Sequence, residues 1–355
     1  MTLVSIPHHS GSNIYVQELV RGYEALGCTV VFGFGKLMNT GVTPDILHLQ
    51  WPEEHYRWNA EGPIEVGAKR FLDRLADLKR NGCKIAWTVH NLGPHESLND
   101  PLDHSVYQQV MDTADLIVHH CPESARLLAK KYRVPEDKPH LIAPHGNYFG
   151  YPNSVSREQA RKRLGIPGDA CVYLSFGAIR GYKGIDTLLD SFRRVKSTHK
   201  MLLVAGSYMA ITSRGYFYDR MLMAWKGFGV GGRGVKLHLK TIPSEEVQLY
   251  FNAADCLVLS HSRGLNSGVA VLGMSFGKTV VGPRIGCIEW VLDQGDNVTY
   301  PVGDADGFIQ ALDTAGGRAG AGVNVKNLEV ARSWRWTDIA EGVIEKLGFG
   351  AARFG

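Results

Sequence analysis

The ten residues Ser175-Phe-Gly-Ala-Ile-Arg-Gly-Tyr-Lys-Gly184 set a strand end, a glycine, two cations and a helix start in sequence. That order suits an anion. Open amide N–H groups and the positive end of a helix dipole attract phosphate, and Arg180 and Lys183 supply charge that matches a diphosphate. Gly177 gives the turn before them. An ordinary strand-to-helix turn with solvated cations would carry the same letters. A second glycine-rich turn, Arg263-Gly-Leu-Asn-Ser-Gly268, leads into the apolar stretch Val269–Phe276 and repeats the arrangement in the same half of the chain. There Asn266, Ser267 and the Gly268 amide would hydrogen-bond phosphate or sugar oxygens without a metal, or Asn266 or Ser267 would simply cap the helix. Glu289, in Gly286-Cys-Ile-Glu289, precedes a helical stretch; it offers a carboxylate for a ribose diol and equally favours a helix N-terminus.

In the first half, His48-Leu-Gln-Trp-Pro-Glu-Glu-His55 and Thr88-Val-His-Asn-Leu-Gly-Pro-His-Glu96 each follow an apolar strand. Prolines and glycines end those strands, so the polar groups are expected on loops at a sheet's carboxyl edge. A general base for an acceptor hydroxyl needs a carboxylate or an imidazole within hydrogen-bond reach, which makes Glu53, Glu54, His90 and Glu96 the candidates. Trp51 and Asn91 lie in the same two segments. His9, Ser10 and Gly11 stand between the first strand and the first helix and would line the same cleft, although Ser10 also suits a cap. A Ser-His-Asp hydrolase is excluded by the lack of a G-x-S-x-G elbow, and a nicotinamide enzyme by the lack of G-x-G-x-x-G after the first strand.

The elements that must position these residues alternate. Short apolar runs at Leu3–Ile6, Thr29–Phe34, Ile46–Gln50, Lys84–His90, Leu116–His119 and Leu141–Ala143 read as strands, separated by amphipathic stretches such as Ile14–Leu26. After a Pro-, Asn- and Ser-containing linker at Tyr151–Ser156 the alternation restarts, with strands at Val172–Phe176, Met201–Ala205, Val235–Leu239, Cys256–Leu259, Thr279–Gly282 and Val298–Pro301. The reading is α/β, two doubly wound Rossmann-like units in series, with ligands at the carboxyl ends of the strands. The expected domains are 1–150, 151–330, and a helical tail over 331–355 that crosses back to the first; the helix itself is read over Asn327–Leu347, with Trp334 and Trp336 inside it.

A length of 355 residues fits two domains, and 44% apolar with 21% charged residues excludes a disordered or fibrous chain. A net charge of +4 is too mild to argue for nucleic acid. The six cysteines are scattered without zinc spacing, so no metal site is expected and a reducing cytoplasm fits. The start reads as a strand instead of a signal peptide, and no run is long enough to span a membrane. Lys69, Arg70, Arg74, Lys79 and Arg80 beside Phe71, Leu72, Leu75 and Leu78 form a basic amphipathic helix, suited either to an anionic membrane surface or to covering a sheet.

Taken together, residues 170–345 resemble GT-B glycosyltransferases of the family-4 type. Gly177, Lys183 and Gly184, the strand end Leu203-Val-Ala-Gly206, Pro243-Ser-Glu-Glu through Ala254-Asp255, and Gly277-Lys-Thr-Val-Val281 with Glu289 carry the likeness. Ile46-Leu-His-Leu-Gln-Trp-Pro-Glu53, His90-Asn-Leu-Gly-Pro-His-Glu96, His145-Gly-Asn-Tyr148 and Phe176–Gly184, with Asn266-Ser-Gly268, are similar to motifs of the bacterial β-1,4-mannosyltransferases of exopolysaccharide assembly, the xanthan-pathway family. This resemblance implies two Rossmann-like domains facing a central cleft, a GDP-mannose donor as co-substrate with no other cofactor, a lipid-linked saccharide acceptor, inversion at the anomeric carbon, and a cytoplasmic location with attachment to the inner membrane face. Where family-4 enzymes usually carry two glutamates eight positions apart, this chain has Gly264 and Leu272. Ala178 stands where those enzymes have arginine, with Arg180 two positions later. An inverting displacement needs a proton acceptor opposite the leaving group, and Glu96 is set slightly ahead of Glu53 and His90 for it. A retaining hexosyltransferase using a UDP- or GDP-sugar, and a non-catalytic nucleotide-sugar-binding protein on the same frame, are the alternatives.

Overall fold

The computed structural model describes residues 2–8, 13–33, 35–38, 41–58, 62–94, 100–210, 221, 234–320 and 322–350. The chain divides into two compact units, Met1–Gly146 with Trp334–Gly355, and Asn147–Ser333.

Unit 1 holds strands β1 (Leu3–Ile6), β2 (Thr29–Phe32), β3 (Ile46–Leu49), β4 (Lys84–Thr88), β5 (Leu116–His119) and β6 (His140–Ile142), all parallel, in the order β2-β1-β3-β4-β5-β6. Helices α1 (Ile14–Ala25), α2 (Gly35–Met38), α3 (Ile64–Arg80), α4 (Pro101–Thr113) and α5 (Pro122–Lys131) connect them. Side chains alternate across a strand, so Val4, Ile6, Ile46, Ala86, Leu116 and Val118 form one core with Tyr15, Val16, Leu19 and Tyr23 of α1. The periodic face of α1 was legible for that reason.

The basic helix α3 spends its apolar side inward: Phe71, Leu75 and Leu78 are buried, and Arg74 binds Asp77 and the carbonyl of Leu37. Its charged side, with Lys69, Arg70, Lys79 and Arg80, is exposed.

Unit 2 contains β7 (Cys171–Phe176), β8 (Ile179–Arg180), β9 (Lys200–Ala205), β10 (Tyr208–Ala210), β11 (Val235–His238), β12 (Cys256–Val258), β13 (Thr279–Pro283) and β14 (Val298–Tyr300). Its helices are α6 (Arg157–Leu164), α7 (Ile185–Arg194), α8 (Ser244–Ala253), α9 (Gly268–Ser275), α10 (Gly286–Asp293), α11 (Ala305–Gly316) and α12 (Val325–Ser333). The main sheet runs β11-β9-β7-β12-β13-β14, again all parallel, while β8 and β10 pair apart as a ribbon that the periodicity did not reveal. β9 and β11 extend from β7 in one direction and β12 to β14 in the other. The strand order therefore reverses between β7 and β12, the place where open α/β sheets bind ligands. The linker read at Tyr151–Ser156 is held on this unit: Ser154 and Val155 donate their amides to Gln248 Oε1 of α8.

The tail differs from expectation. Instead of one helix over Asn327–Leu347, α12 ends at Ser333, Arg335 is extended (φ −85°, ψ 142°), and α13 (Trp336–Lys346) begins. Ala331 is buried in unit 2, whereas Trp336, Ile339, Ala340 and Val343 join the core of unit 1. α13 lies on α1 so closely that a Cβ added at Gly22 would stand 2.7 Å from the Trp336 carbonyl oxygen.

Candidate functional site

Three loops of unit 2 leave the carboxyl ends of the neighbouring strands β7, β12 and β13. After β7, the β8–β10 pairing fixes Arg180, residues Gly181–Lys183 make one 3-10 turn, and Gly184 (φ 62°, ψ 37°) reverses the chain into α7. Only glycine fits there, because the left-handed backbone is strained for other residues and a Cβ would meet the Ser260 carbonyl oxygen at 2.3 Å. The turn is tied to the loop after β12: Ser260 Oγ donates to Lys183 O (2.6 Å), and Ser262 donates its amide to Tyr182 O (2.9 Å).

These ties aim the Lys183 side chain at the next helix. A Cβ built on Gly177 would lie 3.4 Å from Lys183 Nζ and 3.3 Å from Val269 Cγ2, so the ammonium sits over Gly177 at the first turn of α9. The first amides of any helix lack intrahelical partners. Burial, with the Arg180 guanidinium nearby, pushes the Lys183 pKa down to about 8. Among the described residues no carboxylate offsets that charge. Ser267 precedes α9 in an extended conformation and makes no side-chain cap bond, so the capping alternative does not describe it; Asn266 is half-buried beside it. The loop after β13 joins this group through Cys287 N, which donates to Leu265 O (2.8 Å). Glu289 is within the first turn of α10, half-exposed, 3.8 Å from Arg284 Nε, instead of preceding the helix. Gly177, Arg180, Lys183, Asn266, Ser267 and Gly268 thus belong to one corner of unit 2, with Glu289 one strand over. The sequence reading missed Ser260 and Ser262, whose tethering is long-range, and Arg263, whose guanidinium carbon lies 5.9 Å from the Tyr182 ring centre.

At the carboxyl edge of unit 1 the chemistry is different. His90 follows β4, stacks on Trp51 (4.1 Å between ring centres, 19° between planes) and places Nε2 2.9 Å from Gln50 Oε1. Burial and the surrounding imidazoles hold it well below the ordinary histidine range. Asn91 and Trp51 are half-buried. His8 Nε2, at the end of β1, lies 3.2 Å from Glu54 Oε1. His9, Ser10, Gly11 and Glu96 lie outside the described residues.

Glu53 is a correction. It was expected on a loop, but the chain after β3 winds into a helical turn that becomes a π-helix at Glu54–Trp58, and Glu53 is wholly buried. Tyr107 Oη donates to Glu53 Oε2 at 2.5 Å, and burial pushes the carboxyl up to about 7. The π-turn is pinned by Tyr56 Oη on Asp103 Oδ1 (2.6 Å) and Arg57 on Asp100 and Asp103 (2.6 and 2.9 Å). A carboxylate sealed in this way does not meet an acceptor hydroxyl.

Sequence reasoning also missed a row across unit 1. His90, His120 and His145 end β4, β5 and β6 on the face under α1, with ring centres 5.2 and 5.1 Å apart, and Tyr15 covers all three at 4.8 to 5.9 Å. Their common parity at three successive strand ends is the signal that would have found them. Among the described residues no group of three or more His, Cys, Asp or Glu is arranged to hold a metal ion.

Two α/β units, each built on a six-stranded parallel sheet, are the architecture of the GT-B fold class. Residues 170–315, within the second unit, match the family model described as Glycosyl transferases group 1. The chain is 26% identical over 245 residues to D-inositol 3-phosphate glycosyltransferase of Corynebacterium diphtheriae, covering 66% of this chain and 56% of that relative. This chain thus spans about half the length of that curated relative. It is 24% identical over 284 residues to GDP-mannose:glycolipid 4-beta-D-mannosyltransferase of Xanthomonas campestris pv. campestris, covering 78% of this chain and 71% of the relative. Among solved structures, sucrose-phosphate synthase of Thermosynechococcus elongatus superposes with a TM-score of 0.74 at 17% identity, covering 97% of this chain and 98% of that one. Anabaena HepE in complex with UDP-glucose gives 0.72 at 12%, covering 97% and 100%. The expected glycosyltransferase resemblance and GT-B fold are borne out at the level of family and fold. No helix among the described residues is long and apolar enough to cross a membrane.

Proposed function

We propose that this chain is a metal-independent hexosyltransferase that moves mannose from GDP-mannose to a lipid-linked saccharide with inversion. The observation that carries the reading is Lys183: an ammonium without a carboxylate, beside Arg180, held over Gly177 at the start of α9. An ammonium so placed is unfavourable until an anion shares the site, and a nucleoside diphosphate has the matching charge. In the reaction the bond from the anomeric carbon to the diphosphate oxygen breaks. Arg180, Lys183 and the Ser267–Gly268 amides receive the charge that builds on the leaving group, and fixed donors of this kind are commonly among the largest catalytic terms. Glu289 accepts hydrogen bonds from the ribose. Of the proposed bases, Glu53 is sealed; His90, a buried neutral imidazole just after β4, remains proposed, as does Glu96 from its sequence position. Trp51 and Asn91, with His9, Ser10 and Gly11, are proposed for the acceptor.

Mannose and inversion are supported by the Xanthomonas relative and by Gly264 and Leu272, which offer no carboxylate where family-4 enzymes usually have two. The Corynebacterium relative favours a second reading, a small phosphorylated polyol as acceptor. Incubating the chain with GDP-mannose or UDP-glucose and either a lipid-linked saccharide or inositol phosphate, with NMR of the product, tests both. A β-linked mannoside and free GDP are expected. An α-linked product contradicts inversion, and no transfer or donor hydrolysis from any pair supports the non-catalytic alternative. A lipid-linked acceptor brings the chain to a membrane surface, and the proposed contact predicts flotation with anionic liposomes.

A further inference from the structure

The turn that carries Lys183 is not self-supporting. Gly181–Lys183 is three residues long, and one main-chain bond closes it, Gly184 N donating to Gly181 O at 3.1 Å. A single turn fixes several dihedrals for one hydrogen bond, so by itself it is marginal in water. What holds it is the loop after β12. Ser260 Oγ donates to Lys183 O (2.6 Å), and Ser262 donates to Tyr182 O from both its amide (2.9 Å) and its hydroxyl (3.1 Å). The His261 ring centre and the Arg263 guanidinium carbon each lie 5.9 Å from the centre of the Tyr182 ring. Four consecutive residues of the loop thus grip two consecutive residues of the turn. Ser260 differs from the other three in where it acts. It is buried, its hydroxyl meets the carbonyl of the lysine itself, and its own carbonyl lies against Gly184. The same loop then runs into α9, whose Val269 lies with the Lys183 ammonium over Gly177.

We propose that Ser260 is a positioning residue for the donor: its hydroxyl fixes the main chain of Lys183 and so delivers the ammonium to the diphosphate. The inference rests on the proposed reading of Lys183 as a diphosphate ligand. Without that hydroxyl the turn keeps its one internal bond and the ties on Tyr182, and the lysine's flexible four-carbon stem lets the ammonium retreat to solvent. The charge favours that retreat. Burial and the neighbouring Arg180 guanidinium both disfavour an ammonium over Gly177, and Val269, on the side of α9, offers it no polar partner. Ser260 therefore keeps the cation in place before the anion arrives, which spares the donor the cost of ordering a long side chain on binding.

Calorimetric titration of GDP into the full chain tests this with Ser260→Ala, Lys183→Met and the double variant. Ser260→Ala is expected to weaken GDP binding about fivefold or more at pH 7, and to add less than about twofold in the Lys183→Met background, where no ammonium is left to place. Equal losses in the two backgrounds overturn the positioning role, because a general loosening of unit 2 acts in both; wild-type affinity in Ser260→Ala overturns it as well. Ser260→Cys, close in size and a much weaker donor, takes the place of Ser260→Ala should that protein not fold, with the same outcomes. The lysine also has a readout without nucleotide. In an NMR titration of its side chain, assigned as the resonance missing from Lys183→Met, the midpoint should lie near pH 8 in wild type and at least about one pH unit higher in Ser260→Ala. An unmoved midpoint overturns the inference whatever the binding shows. If Lys183→Met binds GDP as tightly as wild type, the diphosphate reading fails, and the midpoint still decides whether Ser260 places the lysine.

Discussion

Lys183, half-buried, and Glu53, wholly buried, are two ionisable groups that the fold uses in opposite ways. Lys183 carries charge into a place where charge is disfavoured, and its proposed role follows from that misfit. Replacing it with alanine should cut transfer by roughly 10²-fold or more, through kcat, as the loss of a group acting on the leaving diphosphate does; a change within about twofold, under roughly half a kcal/mol of barrier, contradicts the assignment. Glu53 is kept neutral instead. Its folded pKa of about 7 lies above the ordinary value of 4.5, so the folded state favours the protonated form. The stability that follows is fully present below about pH 4.5 and is lost as the pH rises through 7, a difference on the order of 3 kcal/mol. Glu53→Gln should therefore melt at a higher temperature than wild type at pH 8 and at nearly the same temperature near pH 4.5. A variant less stable at pH 8 would show that the carboxylate is needed as an anion.

Among the elements, the 3-10 turn at Gly181–Lys183 does the positioning, and Gly184 is its weak point. Gly184→Ala combines a left-handed backbone with a clash against the Ser260 carbonyl, so a loss of about 1–3 kcal/mol in the thermal unfolding of unit 2 is expected, with a raised donor KM. An unaltered KM would mean that the turn does not set the cation. The strands and both glycine-rich turns were legible in the sequence because they are local: short aliphatic runs between Gly, Pro and Asn mark them. What was not legible has no local period. β8 is two residues long, and the π-turn at Glu54–Trp58 is held by Asp103 of α4 and by Asp100, which caps that helix, far along the chain. The tail's break falls at Trp334–Arg335, where unit 2 ends and the last segment of unit 1 begins. The row of His90, His120 and His145 exists only once β4, β5 and β6 lie side by side.

For the whole molecule, the final helix completes unit 1 although it follows unit 2 in the chain. Trp336, Ile339, Val343 and Ile344 fill the core beneath α1, each a burial of roughly 1.5–3 kcal/mol, against a total stability of about 5–15 kcal/mol for a typical domain. A chain ending at Ser333 should lose the cooperative unfolding of unit 1, seen by calorimetry and protease sensitivity, while unit 2 still binds nucleotide. If unit 1 melted unchanged in that truncation, α13 would be dispensable. The central claim nevertheless lies in unit 2, where Arg180 and Lys183 are proposed to grip a diphosphate. Calorimetric titration of GDP into wild type and Lys183→Met at pH 7 and pH 9 tests it most directly. Because the free lysine titrates near pH 8, wild-type binding should weaken several-fold at pH 9 and take up protons there, and Lys183→Met should bind about tenfold or more weakly at pH 7 with little pH dependence. Equal affinity of the two proteins for GDP at pH 7 would contradict the account.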